Sequence, residues 1–134
     1  MLPVTSSDVR LFLHVLGATV WVGGQLTLAG LVPGLRGISP DAPRIVARRF
    51  NVIAWSAFAL LFVTGLWNLT EIDFGDRSTS YQVTLFVKLV VVAVSGVTAA
   101  VHSGSKSKAV LAATGALSFL SGLAALFLGI QLHG

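Results

Sequence analysis

Four apolar runs dominate the sequence, and each exceeds or approaches the roughly 20 helical residues that a ~30 Å hydrocarbon core requires. Inside lipid a backbone must satisfy its own hydrogen bonds, so runs of this kind become helices. They are expected at about 8–35, 47–69, 81–102 and 109–132. Composition agrees with this: 54% of residues are hydrophobic, only 10% are charged, and the mean hydropathy is +0.86. A soluble domain carries roughly a quarter of charged residues. The expectation is one all-α domain spanning 1–134, an integral membrane four-helix bundle that runs up-down-up-down with short loops.

The segments between the runs carry turn chemistry and charge. Ser6, Ser7 and Asp8 are expected to cap the first helix, and Pro33 with Gly34 to bend or stop it near Leu35. The connection from Arg36 to Pro43 reads as a loop leading into Arg44, Arg48 and Arg49. Thr70 to Ser80 is acidic and reads as an exposed loop or a short interfacial helix, and Ser103 to Lys108 as a polar hinge. Four arginines against one aspartate lie in 36–49, and Lys106 and Lys108 lie in 103–108. The positive-inside rule therefore places both basic segments in the cytoplasm of a multi-pass cell-membrane protein, with both termini outside. The first run is too long for a cleaved signal peptide and is expected to persist as a helix.

Function classes narrow quickly. The chain has no cysteine and a single methionine, Met1, so it offers no thiolate site and no disulfide. Its net charge of +4 is spread between apolar runs instead of forming a patch with interleaved aromatics, which argues against nucleic acid. No nucleophile–base pair or carboxylate pair falls within a crossing, so hydrolysis has no candidate residues.

What remains is concentrated on one helix face. Arg10, His14, Gly17, Trp21, Gly24, Gln25 and Leu28 follow steps of three and four and line one side of the first helix. An ionisable group inside a crossing is costly enough to mark a functional site. The rival reading of His14 is a histidine that hydrogen-bonds across the bundle. In the third run Tyr81, Thr84, Lys88, Ser95, Thr98 and His102 form a polar seam facing other helices. In the fourth, Gly115, Ser118, Gly122, Ala125 and Gly129 form a small-residue stripe for close packing. In the expected topology His14 and Lys88 lie at similar depths and border a common outward-leaning cavity, while His102 and His133 sit at opposite membrane interfaces.

The company of His14 suits a haem. An imidazole ligates the iron, Gly17 allows close approach, Trp21 supplies an apolar wall, and Arg10 supplies a cation for a propionate. Lys88 is a second ligand or a carboxylate partner. Copper(I) prefers thiolate or thioether with imidazole, and the chain offers only His14, His102 and His133, spread over different levels. A closed zinc site wants four ligands.

The segment from His14 through Trp21 to Gly24, with Arg49-Phe50, Thr64-Gly65-Leu66 and the Lys88-bearing third run, resembles the copper-resistance protein D (CopD) domain family. The same histidine and lysine pattern is similar to the membrane protoporphyrinogen oxidase of the HemJ type. The first resemblance implies copper passage. The second implies a b haem held by His14, with Lys88 as second ligand or carboxylate partner. The expected function is thus haem or porphyrin binding near the outer leaflet, for electron transfer or porphyrin-linked oxidation by a haem-dependent oxidoreductase. Its expected partners are the lipid bilayer, a redox partner, and further copies or a larger membrane complex. The rivals are CopD-like copper handling and a cofactor-free accessory subunit.

Overall fold

A computed structural model describes residues 1–133. It is all-α, with four helices that are each long and apolar enough to cross a membrane: α1 (Ser6–Ile38), α2 (Ala42–Thr70), α3 (Thr79–Gly104) and α4 (Lys108–Gln131). By length and composition this is a multi-pass membrane protein. The chain forms two compact units, Met1–Ile72 and a second beginning at Asp73, and each is an antiparallel helical hairpin.

The first, third and fourth helices begin where a side chain serves their free amides. The cap of α1 is Thr5, one residue before the expected serines: its hydroxyl accepts from the Asp8 amide at 3.2 Å, and the Asp8 carboxylate accepts from the Thr5 amide at 2.8 Å. This reciprocal box needs an acid three residues after the cap, and only Thr5 has one. Ser78 and Ser107 cap α3 and α4 by accepting from the Tyr81 and Val110 amides.

The first connection is much shorter than the sequence suggests. Pro33 lies inside α1, which continues to Ile38, and α2 starts at Ala42, so Arg44, Arg48 and Arg49 decorate its first turns. Pro43 is compatible with a helix's first turn because its missing N–H would be unpaired there anyway. A proline within an otherwise apolar helix costs one bond, which flanking turns survive. Between α2 and α3 a short 3-10 turn, Phe74–Asp76, is pinned by the Asp73 carboxylate accepting from the Gly75 amide at 3.0 Å.

The buried set mixes Trp21, Val22, Ala54, Ala57 and Leu85 with hydroxyl side chains, and most large apolar side chains face outward. Thr64, Ser95 and Ser118 are almost fully buried, whereas Phe12, Phe62, Phe86 and Phe127 are at least 60% exposed. Such a surface is stable only against lipid, where small and hydroxyl side chains glue helices together. In the second hairpin Ser95 donates to the Ser118 carbonyl at 2.8 Å, and Ser118 donates back to the Ser95 carbonyl at 3.0 Å. The polar seam of α3 and the small-residue stripe of α4 therefore meet each other within this hairpin.

Candidate functional site

The stripe expected on the first helix is the face that α1 turns to α2. All seven of its residues, Arg10 to Leu28, are buried or half-buried, and the pairs along it step down the antiparallel hairpin in register. Arg10 lies 3.8 Å from Glu71, His14 lies 2.8 Å from Thr64, and Gly17 sits under Leu61 and the Ala57 carbonyl. Deeper, Trp21 joins Trp55 and Phe58 at centroid separations of 5.5 and 4.6 Å, and Gly24 lies beneath the Phe50 ring. The structure thus brings together Arg10, His14, Gly17 and Trp21. It uses Gly17 for helix approach and Trp21 for an aromatic cluster.

A turn of π-helix, Thr19–Gly23, interrupts the stripe at Trp21. The wider turn lets two consecutive residues, Trp21 and Val22, both face inward. Such turns recur at functional sites.

The tautomer of His14 is coupled to the Thr64 hydroxyl, which lies 2.8 Å from His14 Nδ1 and 2.7 Å from the Leu60 carbonyl oxygen. When the hydroxyl gives its one hydrogen to that carbonyl it accepts from His14, and Nδ1 then carries the ring proton. The ring also lies against Gly65, 3.7 Å from the position a Cβ there would occupy. The histidine is a helix-to-helix tie, as the rival reading expects, and its Nδ1-protonated form is one that ligates metals through Nε2.

Arg10, one turn away, is poorly served by its own hairpin. Its side chain is only 12% exposed, its ion pair with the 54% exposed Glu71 is long, and its buried Nε has no hydrogen-bond partner. A buried guanidinium donor without an acceptor is expensive. Deeper on the same face the Gln25 amide nitrogen is also buried and unpaired.

The other expected site residues belong to the second hairpin. Lys88 belongs to the second hairpin, where its Nζ lies over Gly129, 3.1 Å from where a Cβ would be. His102 donates from Nδ1 to the Leu111 carbonyl at 2.8 Å and stands over Gly115, tying α3 to α4. His133 is exposed after the end of α4, with its amide donating to the Ile130 carbonyl. Among the described residues no three His, Cys, Asp or Glu side chains gather as a metal site. The spacing argument found His14 and Arg10 but not their partners Thr64 and Glu71. Thr64 stands in the sequence as part of the Thr64-Gly65-Leu66 segment, with no partner indicated.

The chain matches no protein-family model and no solved structure. It is similar to an uncharacterised protein of Aquifex aeolicus (strain VF5), 42% identical over 93 residues. The aligned stretch covers 66% of this chain and 64% of that relative's length.

Proposed function

We propose that this chain binds a b-type haem or related porphyrin in the membrane, which His14 would hold through its imidazole, for electron transfer or porphyrin-linked oxidation. The observation that carries the reading is the His14–Thr64–Leu60 chain of hydrogen bonds. Ligating histidines characteristically donate their other ring N–H to a fixed acceptor, which sets the tautomer and the ring orientation. The unpaired Nε of Arg10, one turn away, supports an anionic group nearby, and a guanidinium suits a propionate carboxylate.

In this reading each residue has a separate task. His14 presents Nε2, and Thr64 holds the Nδ1 proton. Arg10 neutralises a carboxylate. Gly17 and the Trp21–Trp55–Phe58 cluster brace α2 against α1 and keep water from the histidine. When bound, the haem supplies one-electron chemistry, and the low-dielectric surroundings and hydrogen bonding of the ligand tune its potential. The basic segments 36–49 and 103–108 are assigned to the cytoplasmic side by their charge, which puts the Arg10 end of α1 toward the outer leaflet.

Copper handling, the alternative from the CopD resemblance, would rest on His14, His102 and His133, two of which already act as helix-to-helix ties through Nδ1. Metal analysis of the detergent-purified chain separates the readings. Iron with a porphyrin chromophore is the expected result. Copper without iron would overturn it, and a metal-free, colourless chain that still binds no added haemin would favour the accessory-subunit role.

A further inference from the structure

At one end of the second hairpin, the start of α3 and the end of α4 leave a cleft of about 480 Å³ lined by Ser80, Tyr81, Thr84, Gln131 and Leu132. Hydroxyls and an amide line it, at the level where membrane proteins place amphipathic aromatics such as tyrosine. One cation lies against a lining residue, and a second lies one turn along α3 from the lining residue Thr84. The Arg77 guanidinium lies over the Tyr81 ring, 4.7 Å from its centroid. Lys88 follows Tyr81 and Thr84 on the same face of α3, one turn further in, and long helical side chains lean toward the N-terminal end, here toward the cleft.

Lys88 is the unexplained group. It lies within a membrane-length helix and is half-buried, with its ammonium laid over Gly129. Among the described residues it has no ion pair or hydrogen bond. Among the described residues of this hairpin the acidic side chains are Asp73 and Asp76, which lie in the exposed turn before α3, and Asp73 is engaged with the Gly75 amide. An ammonium at this depth calls for an anion or a route to water. Beside the cleft, Val83, Phe86, Phe127 and Ile130 are all more than half exposed. They offer an apolar track along the hairpin.

We propose that the second hairpin binds an anionic phospholipid, with the phosphodiester in this cleft against Lys88 and the acyl chains along the apolar track. The Tyr81 hydroxyl and the Gln131 amide donate to the head group, Thr84, whose hydroxyl donates to the Ser80 carbonyl at 2.8 Å, lines the cleft, and Arg77 marks its outer edge. The absence of a side chain at Gly129 gives the ammonium its resting place. This site is independent of the haem reading, because every residue in it belongs to the second hairpin.

The test is native mass spectrometry of the full chain in detergent, titrated with phosphatidylglycerol or with phosphatidylcholine of the same acyl composition. The expected result is preferential retention of phosphatidylglycerol, weakened roughly tenfold or more by Lys88→Gln, as loss of a charge-assisted bond implies. Lys88→Arg should restore it, and Gln131→Leu, which leaves the charge in place, should weaken it less. Equal retention of the two lipids, or equal binding by wild type and Lys88→Gln, would overturn the proposal. Displacement by inorganic phosphate would also overturn it, since the ligand would then be the free ion. The same titration on His14→Ala should be unchanged. A loss there would assign the signal to the haem site instead.

Discussion

His14 occupies a position in which structure and chemistry make the same demand. Its Nδ1 donates to Thr64 whenever the threonine hydroxyl gives its hydrogen to the Leu60 carbonyl. Thr64→Val keeps the shape of the side chain and removes the acceptor. It should lower haemin affinity by about tenfold to a hundredfold, the usual effect of losing such a partner, while Thr64→Ser should remain near wild type. An unchanged haemin titration for Thr64→Val would show that the tautomer is not fixed from this residue. Glu71 is a contrasting case. Its long, exposed pairing with Arg10 should contribute little, so Glu71→Gln is expected to change stability by under ~1 kcal/mol in thermal unfolding. The placement of His14 and Arg10 on the inward face of α1 was legible in the sequence from their helical spacing. Thr64 and Glu71 were not, because a partner's identity depends on the register of the hairpin, which no local pattern encodes.

At the scale of helices, register is set by where side chains are missing. A Cβ at Gly17 would lie 2.9 Å from the Leu61 Cγ and 3.1 Å from the Ala57 carbonyl oxygen. The leucine can rotate, but the backbone oxygen cannot, so Gly17→Leu should force α1 and α2 apart. A cost of about 1–3 kcal/mol is expected for overpacking of this kind, read as a lowered midpoint of thermal unfolding in detergent. The Ser95–Ser118 exchange in the other hairpin should be weaker. A double-mutant cycle to alanine is expected to give a coupling of about 0.5–1.5 kcal/mol, the range of hydrogen bonds between membrane helices. The helices and their small-residue faces could be read from period and composition. Their ends could not, because Pro33 suggests a stop that the helix passes through, and Pro43 suggests a loop where it begins a helix. The π turn at Thr19–Gly23 had no sequence signature at all. It arises from accommodating Trp21 and Val22 together against α2.

For the whole molecule, four helices long and apolar enough to cross a membrane, with many large apolar side chains exposed, fit a lipid surrounding, and the distribution of arginine and lysine is the basis of the proposed orientation. Because the chain has no cysteine, single-cysteine variants report sidedness without a background. Phe74→Cys in the acidic connection should react with an impermeant maleimide added to intact cells, and Ser105→Cys in the basic hinge should react only after permeabilisation. The opposite pattern would invert the assigned topology. The central claim, that His14 holds a haem, is tested most directly by a reduced-minus-oxidised visible spectrum of the detergent-purified protein beside His14→Ala. The account predicts a Soret band and a reduced α-band in the wild type that vanish in a variant that is still folded. Identical spectra from the two proteins, coloured or colourless, would contradict it.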